Sequence, residues 1–417
     1  MVRASRPQSR ERLAPAHGEA SRPHHMNPIA LSRGRGWPTT ALSSAVAGRV
    51  RGPLHENDLG QLLLLKLNEL CWGSTLEHTL RRLHPGGALV DAPLPNGADT
   101  LREFLSKLAC SVPTVPFLAL REEGGLMDPL QAFLPPLPSS RAAAGKGLAA
   151  VQRLGELVGS ALKLLGFNTD FAPLLDLASP SLIPGRGTPW RAPREARAFS
   201  ADPQQVAKCG EAFLEGLEAH KVLACGKHFP GFGSARAAGR AELPLVSKPM
   251  AELWREDLVP YRALLPRLPL ILVSTAAYKA YDFDLLQSAG LSSKVVEGLL
   301  RVKLGYDAIA IADGLETEAV RGTLTLEEAA VQAVSAGCDM LLVEELQAAE
   351  RVQAALSAAL QSGKLPSARV EQALKRIQHV KRGLRPPIDK LSRGSLENLI
   401  KQFTAFSAVF AASENRD

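Results

Sequence analysis

The sequence predicts an α/β protein: a single-domain (β/α)8 TIM-type barrel with a disordered basic N-terminal tail and a C-terminal helical extension. Three observations carry this. From about residue 57 onward, short apolar runs alternate with long helical periods over roughly 330 residues. The runs are apolar throughout, as parallel strands covered on both faces are. No GxGxxG follows the first strand, which favours a closed barrel over an open doubly wound sheet.

The expected helices span 58–71, 99–110, 145–165, 203–220, 250–264, 291–304, 325–337, 346–361 and 367–383. In 145–165, Leu148, Val151, Leu154, Val158, Leu162 and Leu165 form one stripe, and Gly166 stands where a C-terminal glycine is expected. Between the helices lie strand candidates at Ala88–Val90, Val115–Leu120, Thr169–Leu175, Val222–Lys227, Leu270–Ser274, Ala308–Ala312 and Met340–Val343. Pro- and Gly-rich inserts at 129–140 and 178–190 read as loops. After Pro386–Pro387, Leu396, Leu399, Ile400, Phe403, Phe406 and Phe410 recur at helical spacing, the pattern of a helix docked on the barrel. The domain reading is therefore 1–56 as tail, 57–385 as barrel and 386–417 as helical extension.

The chain has 417 residues with 46% hydrophobic content, enough for two ordinary domains or one large barrel with an appendage. Its net charge of +7 is local: residues 1–53 hold nine Arg and no Lys against Glu11 and Glu19. The remainder balances, 40 basic (49 − 9) against 40 acidic (42 − 2) side chains. With no basic stripe on the body, nucleic acid is not an expected partner. The stretch around Thr39 to Gly48 lacks the apolar core of a secretory signal, and Leu62–Leu65 is cut by Lys66, far too short to span a membrane. Five scattered cysteines without a CxxC pair suggest neither a disulfide framework nor a zinc site, and fit a reducing cytoplasm.

In a barrel, chemistry gathers just beyond the strand ends. Glu122 and Glu123 follow Leu120, Asp176 follows the next run, Lys227 and His228 follow Ala224, and Asp313 follows Ile311. Each has a plain structural alternative: Glu123 as the partner of a glycine turn, Asp176 as an acceptor for backbone amides, Asp313 as a helix cap. Gly314 leaves the Asp313 carboxylate uncrowded, so nucleophile and cap both stand on the residues alone.

Seven stretches then occur in order: REEGGLMDPL (121–130), FAPLLDL (171–177), RAFSADP (197–203), KHFPGFGSARAAGRAELP (227–244), VSTA (273–276), LGYDAIAIADGLET (304–317) and AGCDMLL (336–342). Together they resemble the catalytic barrel of family 3 glycoside hydrolases, and in particular the single-domain bacterial β-N-acetylhexosaminidase branch, over about residues 57–385. The resemblance implies that Asp313 is the nucleophile of a retaining double displacement through a glycosyl-enzyme. It implies that Glu123, Arg197, Lys227 and His228 hold the sugar, and that the substrate is a carbohydrate, a β-linked amino sugar. No metal or organic cofactor is implied, because this chemistry needs only a carboxylate and a proton donor.

The same resemblance exposes departures. In this branch an Asp-His pair in the KHFPG loop is the acid/base; here those positions are Ala238 and Arg240, and arginine cannot release a proton near neutral pH. Family positions lining the sugar subsite are also changed, to Arg121, Pro129 and Ala276. Only 32 residues follow 385, too few for the second domain that supplies the acid/base in two-domain relatives. Glu242 and Glu316 are the carboxyls that could substitute, with surface or helix-cap roles as their alternatives. Two readings follow: a glycosidase, impaired or altered, and a catalytically inactive descendant that binds a sugar or protein partner through the old cleft.

Overall fold

The first strand of the barrel lies inside the segment whose sequence reads as a helix. The computed structural model describes residues 54–95, 97–179, 197–237, 239, 241–387 and 390–414. In it, residues 58–71 are not one helix: Glu56–Gly60 is a single helical turn, and Leu63–Leu67 is strand β1. Leu62, Leu63, Leu64 and Leu65 are all at most 1% exposed. A four-leucine run satisfies helical and strand periods alike, so only two-sided burial separates them.

The remaining barrel strands are β2 (Gly87–Val90), β3 (Phe117–Leu120), β4 (Thr169–Asp170), β5 (Leu223–Phe229), β6 (Leu270–Val273), β7 (Ile309–Ala312) and β8 (Met340–Val343). All neighbours pair in parallel, and β1 closes the ring by pairing with β8 (Leu63↔Leu341) and β2 (Leu64↔Gly87). The (β/α)8 expectation and seven of its strands are thus met, the fourth shortened to two residues. Two further pairs of residues, Leu245–Val246 and Ala277–Tyr278, form a small sheet outside the barrel.

The helices largely follow the apolar stripes. Leu148–Leu165 buries Val151, Leu154, Val158, Leu162 and Leu165, and Gly166 ends it in the left-handed conformation. Residues 250–264 break into Met250–Arg255 and Leu258–Leu264, while Lys294–Lys303 is wound as a π-helix. The structure adds a helix, Ser74–Leu83, absent from the sequence reading; its buried apolar residues are only Leu76, Leu80 and Leu83, beside Thr79. Arg393–Glu414 is the expected terminal helix. It buries Leu399 and Phe403, and Arg153 of the Leu148–Leu165 helix donates to Gln402 at 2.7 Å.

The bottom of the barrel is pinned by charge. Asp339, fully buried just before β8, pairs with Arg301 at 2.5 Å, Arg369 at 2.6 Å and Arg376 at 3.2 Å. Burial alone would raise its carboxyl, but the three guanidiniums hold it below the ordinary carboxylate value. The Asp of the AGCDMLL stretch is therefore structural, at the end opposite the mouth.

Gly60 marks another tight point, since a Cβ there would lie 1.5 Å from the Leu83 carbonyl oxygen. Gly60→Ala is expected to destabilise by about 2 kcal/mol or more by overpacking, read from chemical denaturation; an unchanged midpoint would refute the close approach.

Candidate functional site

At the C-terminal ends of β3 and β5 the chain builds a dry ionic cluster. Glu123 is 2% exposed and accepts from Arg197 through Nε at 2.9 Å and through an NH2 group at 2.7 Å. On the same carboxylate lies Lys227 Nζ at 2.5 Å, from a side chain 1% exposed. Lys227 also donates to the Phe171 carbonyl. Burial would raise the Glu123 carboxyl, but the Arg197 and Lys227 charges override it and hold the group well below the usual carboxylate range. Burial pushes the Lys227 ammonium down, with Glu123 opposing.

Next along β5, His228 stands at an irregularity: Lys227 pairs with Leu272 but Phe229 already with Val273. Its ring Nδ1 lies 2.8 Å from Asp176 Oδ2. An ionised carboxylate can only accept, so the neutral ring donates Nδ1–H and leaves Nε2 on a side chain 20% exposed. Asp176, fully buried, also accepts from the amides of His228 at 3.2 Å and Phe232 at 2.8 Å. Burial lowers the pKa of His228, against the pull of Asp176, so the ring is neutral near pH 7. The reading of Asp176 as an acceptor for backbone amides holds, and the same carboxylate also fixes an imidazole.

Asp313 follows β7, two strands from His228, and Val273 of the intervening β6 pairs with Ala312. Its Oδ1 accepts from the Gly314 amide at 2.8 Å. Gly314 has φ +67°, and a Cβ there would lie 2.4 Å from Thr275 Cγ2, so this turn requires glycine. The half-buried carboxylate is thereby held at the mouth by a one-residue turn.

The remaining sequence candidates scatter. Glu316 turns its oxygens to the amides of Glu344 at 2.8 Å and Glu345 at 3.4 Å, a capping contact, and burial raises its carboxyl. Glu242 is exposed. Pro129 opens a short turn, Pro129–Ala132, capped by Asp128, and Ala276 is fully buried beyond β6. Ala238 and Arg240 lie outside the described residues, as do residues 1–53 of the tail and 180–190 of the second insert. Arg121 is drawn to Asp91, an acid after β2 that the sequence reading did not single out, at 2.8 Å. Among the described residues no cluster of His, Cys, Asp and Glu fit to hold a metal occurs. No described helix is long and apolar enough to cross a membrane. All five cysteines are free.

The arrangement offers a strand-end carboxylate able to attack and, two strands along the ring, directed donors and a neutral imidazole able to bind oxygens. Comparison with known proteins points the same way. The family model described as "Glycosyl hydrolase family 3 N terminal domain" matches residues 96–380. A protein named β-hexosaminidase from Pseudomonas aeruginosa is 31% identical over 284 residues, 66% of this chain and 80% of that protein. Among solved structures, the β-N-acetylglucosaminidase from Thermotoga maritima superposes with TM-score 0.69 at 27% identity, covering 78% of this chain and 68% of that one. A family 3 β-N-acetylglucosaminidase from Paenibacillus sp. gives TM-score 0.71 at 26% identity, covering 85% and 69%.

Proposed function

The chain belongs to glycosyl hydrolase family 3, and from that membership we propose that it is a retaining β-N-acetylhexosaminidase-like glycosidase working without the usual Asp-His acid/base. Asp313 attacks the anomeric carbon of a β-linked amino sugar, the leaving oxygen departs, and water hydrolyses the glycosyl-enzyme. Arg197, Lys227 and His228 hold sugar oxygens, while Glu123 orders the two cations. The observation that supports the reading is the Glu123–Arg197–Lys227 cluster at the strand ends, with Asp313 following a strand two places along the ring from that of Lys227. The catalytic unit is the barrel of residues 57–385, with 1–56 and 386–417 as appendages. The free cysteines suit a reducing compartment such as the cytoplasm.

With Ala238 and Arg240 in the acid/base positions, protonation of the leaving group falls to solvent or to a weakly placed carboxyl. General acid catalysis is worth about 10²–10⁴ in rate. Turnover of a dinitrophenyl β-N-acetylglucosaminide, whose leaving group needs no proton, is therefore expected to exceed that of the methyl glycoside by more than its intrinsic reactivity accounts for. Azide should accelerate breakdown of the glycosyl-enzyme and give the β-glycosyl azide. Measured leaving-group dependence as shallow as in an enzyme with an intact acid would overturn the impaired-acid reading.

The two substitutions in the loop also support a second reading, a sugar-binding or partner-binding protein without turnover. A broad aryl-glycoside panel left untouched, together with calorimetric binding of an amino sugar or cell-wall fragment, would favour it.

A further inference from the structure

On the β1–β3 side of the mouth lies a second polar arc, outside the Glu123 cluster. The β2–β3 register (Leu89↔Ala119) sets Asp91 beside Arg121, and Lys66 of β1, opposite Leu89, reaches along the strands to the same carboxylate. Asp91 spends both oxygens on cations: Oδ1 on Arg121 at 2.8 Å and Oδ2 on Lys66 at 3.1 Å. Lys66 also reaches Glu344, after β8, at 3.2 Å. The side chains of Lys66, Arg121 and Asp91 are only 10%, 12% and 18% exposed, whereas Glu344, at 36%, sits on the outer rim.

A guanidinium carries five N–H donors in a fixed fork. Among the described residues Arg121 commits one nitrogen, to Asp91. Arg121 stands two residues before Glu123, and its charge is among those lowering the Lys227 ammonium, so the fork belongs to the same mouth. Two carboxylates offset the two cations of the arc, so net charge does not distinguish it; donor geometry in a poorly hydrated setting does. A sugar hydroxyl takes one donor, whereas a carboxylate or phosphate takes two in parallel.

We propose that the Lys66–Asp91–Arg121 arc recognises an oxyanion, a carboxylate or phosphate, carried on the sugar ring held in the cleft. This rests on the reading that the cleft binds a sugar. Asp91 positions Arg121, and Lys66 holds the second Asp91 oxygen in place.

Calorimetry on the full chain tests it with two pairs of probes: N-acetylglucosamine against its 6-phosphate, and glucose against glucuronic acid. One anionic member is expected to bind about tenfold or more tighter than its neutral counterpart. Which pair shows the ratio identifies phosphate or carboxylate. In Arg121→Gln the ratio should fall to within about twofold of unity, and in Arg121→Lys, which keeps the charge but loses the fork, to an intermediate value. Far-UV circular dichroism checks that the variants fold; were Arg121→Gln to unfold, Arg121→Lys carries the test, and an undiminished ratio there refutes the fork. Ratios near unity in the wild type, or a ratio unchanged in Arg121→Gln, overturn this proposal alone. Failure of all four probes to bind overturns it together with the sugar-cleft reading.

Discussion

Asp313→Asn is expected to lower kcat/KM on an aryl β-N-acetylglucosaminide by at least about 10³-fold, because the amide cannot form the glycosyl-enzyme. The change is nearly isosteric and an amide oxygen can still accept from Gly314, so the fold should be preserved and the loss should fall on kcat. A sharper signature comes from Asp313→Ala with azide. With the carboxylate gone, azide enters from the face Asp313 occupied and inverts the centre, giving the α-glycosyl azide. In the wild type azide meets the glycosyl-enzyme and gives the β product. Equal inertness of wild type and Asp313→Asn across a broad panel would end the glycosidase reading; equal activity would end the assignment of Asp313.

Glu123→Gln is expected to cost about 3–5 kcal/mol of stability at pH 7, since it strands Arg197 and Lys227 in a dry site without a counter-charge. Its pH dependence has a definite sign. The folded pKa of Glu123 lies below its unfolded value, so as pH falls the unfolded chain takes up the proton first. The stabilisation is present above about pH 4.3, the ordinary value for glutamate, and is lost progressively below it. The gap between wild type and Glu123→Gln should therefore narrow as pH falls from about 5 to 3. Comparing the two proteins cancels the opposite behaviour of Glu122, whose pKa burial raises. A gap independent of pH would mean that the carboxylate charge is not what holds the cluster. Under the proposed function, in which Arg197 and Lys227 hold sugar oxygens, the variant should lose activity as well as stability.

Much of the mouth was legible before any coordinates. Glu123, Asp176, Lys227, His228 and Asp313 could be placed at strand ends because an apolar run followed by a polar residue is the local pattern of a barrel strand leaving its core. Their partners were not legible. His228 and Asp176 meet across 52 residues and Lys227 and Glu123 across 104 (227 − 123); such pairings depend on strand order and register, which no local pattern encodes. Asp91 went unnoticed for the same reason, being one acid among many until the β2–β3 register aligned it with Arg121. The capping of the β8 loop by Glu316 was one of two open readings, and its oxygens lie on the amides of Glu344 and Glu345.

By itself the sequence determined the barrel class, seven of its eight strands, most of the helix stripes and the residue types available after those strands, since these follow from periodicity and chain adjacency. It also put Ala238 and Arg240 at the positions where the family resemblance leads one to expect the Asp-His pair. Closure decided the rest. Only the ring made Leu63–Leu67 a strand, because its second edge is paired by β8, the last strand in the chain. Only the ring converted isolated strand-end charges into the Glu123 cluster, the Asp176–His228 pair and the Lys66–Asp91–Arg121 arc, because bringing residues from eight strands to one rim is a property of the closed sheet.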